Sequence, residues 1–444
     1  MLKKLVLVLI ALTFFNCKNN PNQNIQTEGL NRHEKWVFDI NYFEKEFLNK
    51  AKTYTETSKD SCLVLLNTLK KNIDNLTDFQ IRLELSKCVV LADNAHTEIV
   101  VPLLSQIPLR LYRFSDGLRV IRTDSMNATY LGSKLLKIND LEIPKIEEKL
   151  FPYLSGIENW KRFKTRDCML APELLHALDL NKSKDSLKVT LLKDRDTVHI
   201  KLAAQKFNKD RYWFESWANL YPIDSKENNW QFLKKQTSNL PLYLKRAEEG
   251  VFYDFNTTEK IAYFQINSFW DKCPNFKERV DTFNTKLKSK KDYDVVIDLR
   301  FYTGGNYAYA KKLATQPPKI INSDKKIYLV VSEKTYSAGI VTAARVKHFA
   351  KDKIVIVGEE VGDRLKFWAE SVACVLPHSN IRAYNSMEEH DWKDNSKSIF
   401  RTHYPNFFHG VAAKNLNLDQ EIQLSIEDYL QDKDPIMEWI LKQK

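Results

Sequence analysis

Glycine is scarce in this chain, with 11 in 444 residues, and five of the 11 fall between Gly304 and Gly362. Backbone geometry that needs glycine is therefore concentrated in that stretch. No His-Glu-x-x-His and no Cys/His cluster with ligand spacing occurs, so the sequence offers no metal site, disfavours a metallopeptidase and implies no cofactor. There is no Cys-x-x-Cys pair. With Cys17 set aside, Cys62, Cys88, Cys168, Cys273 and Cys374 remain, an odd number from which no disulfide framework is read, and buried free thiols are expected. A basic stripe interleaved with aromatics is also missing. The net charge of +11 comes from lysines spread along the chain, which excludes nucleic acid as the expected partner. No internal repeat stands out.

What is present suits a soluble multidomain protein with a real core: 43% hydrophobic, 28% charged and 12% aromatic residues over a length that implies two or three domains. Residues 1–17 read as a targeting segment. Lys3 and Lys4 precede the apolar run Leu5 to Phe15, which is too short to span a bilayer and ends at Cys17. This resembles a bacterial lipoprotein signal peptide, with lipid on the Cys17 thiol. The resemblance implies an exported protein anchored in the bacterial cell envelope, at the periplasm or outer membrane. Residues 18–34 read as a polar tether.

Apolar residues then recur at three- and four-residue spacing, as in Phe43, Phe47, Leu48 and Ala51, then Leu63, Leu66 and Leu69, and predict a helical N-terminal domain over 35–100. From Leu109 the pattern becomes short alternating runs. Leu109 to Phe114 and Leu118 to Arg122 flank the turn Ser115-Asp116-Gly117, and a hairpin, Leu187 to Leu192 with Thr197 to Leu202, closes the region. Strands, one helix and a closing hairpin over 105–205 describe a small, partly open barrel. Gly132, followed by Lys134-Leu135-Leu136-Lys137-Ile138-Asn139-Asp140, resembles the stretch before the Ile-Asn-Gly turn of protease-associated PDZ domains, with Asp140 in place of the glycine. Such domains capture chain ends by strand addition.

Residues 255–444 alternate strands and helices. Ile261 to Ile266, Val295 to Leu299, Ile327 to Val331 and Ile354 to Val357 read as strands, and Phe276 to Leu287 and Ala338 to Phe349 as helices, which predicts an α/β layered core with a largely parallel sheet. Three segments of this core carry chemistry. A buried strand ends in Asp298-Leu299-Arg300-Phe301-Tyr302-Thr303-Gly304-Gly305, where adjacent glycines suit an oxyanion hole. Ser337 stands where a strand hands over to a helix, with the small Ala338 and Gly339 behind it, so a nucleophile and an oxyanion donor can come from adjacent residues; the bland alternative is a serine that only caps the helix. A third strand ends in Gly358-Glu359-Glu360-Val361-Gly362-Asp363 and can bring a carboxylate to the same edge.

In this order the segments resemble the tail-specific (C-terminal-processing) serine peptidase family, including its Tricorn-like branch. Ala369-Glu370-Ser371 to Leu376-Pro377-His378-Ser379-Asn380 and Glu427-Asp428-Tyr429 with Lys433-Asp434-Pro435-Ile436 resemble the family's later strand and closing helix. The resemblance covers about Asp93 to Lys444. It implies an α/β multidomain protein with a ClpP/crotonase-like peptidase core, acting on exported peptides or proteins through an acyl-enzyme on Ser337. Gly304, Gly305 and Ala338 would supply the oxyanion hole. One branch of the family uses a lysine base, for which Lys366 is the nearest candidate. The other uses a histidine just before the PDZ-like domain, in a segment resembling Asp-x-His-Thr; this chain has Asp93-Asn94-Ala95-His96-Thr97 in that place, which makes His96 the favoured base. The late acid of the Tricorn-like branch has no counterpart in Phe407-Phe408-His409-Gly410-Val411, so the third member is sought in Glu359 first, with Glu360, Glu388 and Glu389 as substitutes. Phe301-Tyr302 also stands where the family has Gly-Asn. These departures keep open a second reading, an inactive peptidase fold that binds peptides or protein tails.

Overall fold

The computed structural model describes residues 29–206, 220–221, 230–235, 239–246, 249–267, 273 and 275–444. The leader, Cys17 and the first part of the tether lie outside them. Within them the chain is the α/β multidomain protein that its pattern predicts, and no helix is long and apolar enough to cross a membrane.

The first helix, Arg32–Tyr42, begins inside the stretch expected to be tether. Asn31 and Glu34 form a reciprocal capping box there, and Thr55 with Ser58 and Thr77 with Gln80 do the same for the helices Glu56–Asn72 and Asp78–Val90. Each box satisfies backbone N–H groups that a helix start leaves open, so the three starts are fixed locally. The helices bury Trp36, Phe43, Phe47, Leu66, Ile81 and Leu85 against one another. Here the structure corrects the free-thiol expectation: Cys62 and Cys88 are bridged, with Cα atoms 4.9 Å apart, while Cys168 and Cys374 stay free. The two cysteines lie on facing sides of two antiparallel helices, a proximity that linear spacing does not reveal.

A seven-stranded antiparallel sheet follows, containing Leu109–Phe114, Gly117–Asp124, Lys134–Ile138, Ser186–Lys193 and Asp196–Ala203, with the helices Ile143–Leu150 and Glu158–Cys168 packed on it. The replacement of glycine by Asp140 leaves the tight turn intact. Asn139 and Asp140 both adopt positive φ, which short polar side chains tolerate, and Ile138 pairs with Leu141 across it.

The core sheet has six strands in the order Val251–Asn256, Ile261–Ile266, Asp294–Asp298, Ile327–Val331, Ile354–Gly358 and Gln420–Glu421; all neighbours except the first pair are parallel. Its three central strands are buried at every position, because both faces are covered. Phe276, Val280, Phe283 and Leu287 of the helix Phe276–Leu287 cover one face with Ala343 and Val346; Ile436 and Ile440 of the C-terminal helix Pro435–Leu441 cover the other. Burying each large apolar side chain contributes ~1.5–3 kcal/mol, before the entropy of ordering it. Arg300 ties the sheet to that last helix. Its guanidinium pairs with Asp298 at 2.9 Å and with Asp434 at 3.0 Å, and Asp434 also accepts the Ile436 and Met437 N–H groups.

A long hairpin, Lys366–Val375 with Arg382–Asp391, leaves the core and takes the two-residue strand Glu98–Ile99 on its edge, pairing Glu98 with Tyr384 and Ile99 with Ala383. The stretch Leu376 to Asn380, part of the segment likened to a family strand, forms the hairpin tip. Its His378 and Ser379 N–H groups donate to the Asp39 carboxylate of the first helix at 3.0 and 2.8 Å. The hairpin thereby joins the N-terminal helices to the core.

Candidate active site

Three parallel strands end side by side, at Asp298, Val331 and Gly358, and the loops that leave them carry Gly304-Gly305, Ser337 and Asp363. The carboxyl edge of a parallel sheet is where such folds place ligands. Ser337 has φ +52° and ψ −114°, outside the ordinary allowed regions, and the helix Ala338–Ala350 starts directly after it. Its side chain makes no capping bond, which removes the bland reading of a serine serving only as a helix cap.

Two glycines make the turn possible. A Cβ on Gly339 would lie 2.4 Å from the Tyr302 carbonyl oxygen, and one on Gly362 would lie 2.3 Å from that of Glu333. Tyr302, in the position where the resembled family has a small polar residue, turns its ring into the core and offers its carbonyl to the Tyr336 N–H at 3.2 Å. The aromatic pair Phe301-Tyr302 is therefore absorbed by packing. Gly304, at φ +150°, faces Ser337: a Cβ there would stand 3.8 Å from Oγ.

His96 reaches this edge from a point 241 residues earlier, and its Nε2 lies 3.0 Å from Ser337 Oγ. The turn that carries it is fastened to the hairpin. Asn94 bonds both the N–H and the carbonyl of Trp368, and the Ser371 hydroxyl donates to the His96 carbonyl at 2.8 Å. The ring stacks between Tyr336 at 4.7 Å and Phe367 at 5.3 Å, and Tyr336 stacks in turn on Trp160 at 4.0 Å. This apolar column removes water from the imidazole. Burial pushes His96 down to about 3, with the neighbouring His390 adding to it, so the ring is neutral at neutral pH.

The remaining ring nitrogen, His96 Nδ1, lies 3.8 Å from Asp363 Oδ2; both atoms are buried and neither makes a hydrogen bond among the described residues. Burial raises the Asp363 carboxyl to about 7, against a stabilising bond from the Arg364 N–H. The carboxyl that faces His96 is thus Asp363 and not Glu359, where the third member was expected. Glu359 leaves the same strand but is set among Tyr112, Glu333, Lys334 and Arg300, where burial, then Glu333, raises it to about 8. Asp363 comes in its place because the chain turns at Gly362, whose N–H donates to the Thr335 carbonyl at 3.0 Å. The signal lies in the segment Gly358 to Asp363 itself, one residue past Gly362.

The substitutes are engaged elsewhere. Glu360 accepts from Asn159, Glu388 pairs with His403, and Glu389 pairs with Lys366 at 3.1 Å. That last pair also occupies the candidate lysine base, Lys366, at the open end of the hairpin opposite Asp391. One group of metal-ligand type does converge in the fold, although no spacing announces it: one ligand atom each from Glu370, His390 and His403 lie within 4.8 Å of one another.

Neither a protein-family profile nor any curated protein matches the sequence. Solved structures do match its shape. A serine-to-alanine mutant of CPAF is similar with a TM-score of 0.59 at 9% identity, over 92% of this chain and 97% of that one. Mature CPAF complexed with lactacystin gives 0.55 at 10% identity, over 93% and 97%, and mature CPAF alone gives 0.54 at 10%, over 92% and 96%. At such identities the likeness is one of fold, and it extends over nearly the whole of both chains: the protein has the multidomain α/β fold seen in CPAF.

Proposed function

We propose that the protein is a serine peptidase of the tail-specific type, exported and held in the bacterial cell envelope by lipid on Cys17. The observation that carries the chemistry is the 3.0 Å approach of His96 Nε2 to Ser337 Oγ between segments 241 residues apart. A neutral imidazole at hydrogen-bond distance from a hydroxyl on a strained turn is what general-base activation of a nucleophile requires. As Oγ attacks a peptide carbonyl, Nε2 takes its proton. The N–H of Ala338, at the open start of its helix, and that of Gly304 or Gly305 receive the developing oxyanion. The imidazolium so formed faces Asp363, which acts as a positioning residue. His96 then returns the proton to the leaving amine, and water releases the acyl group from Ser337.

The body over 105–205 is read as a PDZ-like domain that presents chain ends, on the strength of its antiparallel sheet and the Asn139-Asp140 turn. The Cys62–Cys88 bridge supports an oxidising compartment and hence export. The inactive, tail-binding reading predicts a serine and histidine out of reach of each other, and the 3.0 Å contact weighs against it.

The test is a fluorophosphonate probe together with cleavage of an unfolded protein substrate. The wild type is expected to be labelled and to cleave; Ser337→Ala loses both, and His96→Gln loses most of each. Labelling that survives Ser337→Ala would refute the assignment, and saturable peptide binding without turnover would favour the binding module.

A further inference from the structure

The hairpin carries a second convergence of chemically capable side chains, separated from His96 by the Phe367 ring. Glu370 stands on its first strand, His390 on its second, and His403 just before the short helix Tyr404–His409. Glu370 Oε1 lies 3.5 Å from His390 Nε2 and 3.8 Å from His403 Nε2. His390 is 1% exposed, and neither of its ring nitrogens makes a hydrogen bond among the described residues. A buried imidazole with an unused lone pair is costly unless something takes it up.

We propose that Glu370, His390 and His403 bind one divalent transition-metal ion of the zinc class, with further coordination open to water. Two imidazoles and one carboxylate are the donor set of open zinc sites. Metal–ligand bonds of about 2.0–2.1 Å put tetrahedral donors roughly 3.3–3.5 Å apart. The contacts of Glu370 Oε1, at 3.5 and 3.8 Å, are close to that spacing. The second sphere is present as well: the Glu388 carboxylate holds His403 Nδ1, which fixes the tautomer and leaves Nε2 to face the cluster.

The rings of His390 and His403 are stacked, with centroids 4.4 Å apart and planes at 19°. An ion binds in the plane of each ring, so loading turns one ring out of the stack. His390 is held against Phe367 at 5.0 Å, whereas the side chain of His403 is 15% exposed, so His403 is the ring that turns. The ion would clamp both hairpin strands to the segment that bears the exposed Ile399, Phe400, Tyr404 and Phe408.

The experiment uses the full chain, stripped with a chelator and titrated with Co²⁺, then with Zn²⁺. Expected are visible cobalt bands that saturate at one ion per chain, their loss when Zn²⁺ displaces cobalt, and a higher thermal midpoint with either metal. Glu370→Gln and His403→Gln should each weaken binding at least tenfold, with the metal-free midpoint serving as the check on folding. Glu388→Gln keeps all three ligands and should weaken binding less. Ser337→Ala and His96→Gln should bind as the wild type does. Absence of saturable binding in the wild type would overturn the proposal. Binding unchanged in both Glu370→Gln and His403→Gln, binding lost in His96→Gln, or a sulfur-to-cobalt charge-transfer band would overturn it too.

Discussion

Asp363 Oδ2 stands 3.8 Å from His96 Nδ1, facing the one imidazole nitrogen that Ser337 does not engage. The pair sits in a desolvated setting that favours the neutral form of each group: His96 falls to about 3 and Asp363 rises to about 7. As pH rises from acid, His96 becomes a competent base early, and Asp363 acquires the charge that supports an imidazolium only near 7. Probe labelling of Ser337 should therefore climb with pH through a limb near 7. Asp363→Asn should remove that limb and slow labelling on the order of 10²-fold. A limb that persists in Asp363→Asn would assign it to another group.

The same carboxyl makes a prediction about stability. Its folded value lies above the ordinary carboxylate range, so between that range and about 7 the folded chain holds a proton that the unfolded chain has lost. The contribution of Asp363 to stability is then unfavourable and grows as pH rises through that window. Urea midpoints of wild type and Asp363→Asn should diverge with rising pH, the variant becoming the more stable of the two.

Gly339→Ala tests the turn behind the nucleophile. The added methyl would meet the Tyr302 carbonyl at 2.4 Å, and both partners belong to tightly packed backbone. We expect a loss of about 1–3 kcal/mol in urea unfolding, as for other overpacked sites, and near-complete loss of labelling because Ser337 is displaced. An active, fully stable Gly339→Ala would show that the turn has more freedom than its packing allows.

Asp434→Ala should leave Arg300 buried with only Asp298 as an acidic partner and remove the cap of the last helix. Breaking a buried ion pair costs roughly 3–5 kcal/mol. Because these residues anchor the sheet at the end that carries the Gly304 loop, labelling should fall in step with stability rather than before it, which chemical denaturation and probe kinetics measured together would reveal.

The Cys62–Cys88 bridge closes a short loop between two helices, with a sequence separation of 26. Its removal by the double Cys→Ser change should lower stability by about 3 kcal/mol. Thiol titration of the unfolded, unreduced chain should detect Cys168 and Cys374 and should not detect Cys62 or Cys88.

The layered core was legible because its strands are short unbroken apolar runs and its helices have the 3.6-residue period; the strand Ile327–Val331 and the helix starting at Ala338 fall where the pattern puts them. Ser337 was legible for the same reason, since a strand-to-helix handover is a local event. His96 required the resemblance, because nothing local to Asp93–Thr97 says that the turn will meet residue 337. Asp363 was missed in favour of Glu359 because the choice depends on the Gly362 turn, where the Glu333 carbonyl leaves no room for a side chain. Glu370, His390 and His403 went unseen as a group because the antiparallel hairpin and the return of the chain onto Glu389 at His403, not sequence spacing, bring them together. The Cys62–Cys88 bridge is of the same kind.

The two-residue strand Glu98–Ile99, docked on Tyr384 and Ala383, sets when the site can exist. A chain that emerges from its N-terminus carries the histidine long before the serine, and the hairpin that holds the histidine in place comes later than both. A copy truncated before the hairpin thus lacks the contacts that hold the His96 turn beside Ser337. On the peptidase reading proposed above, the capacity to cut arrives only once the hairpin of Lys366–Val375 and Arg382–Asp391 has been made, late in the synthesis of the chain.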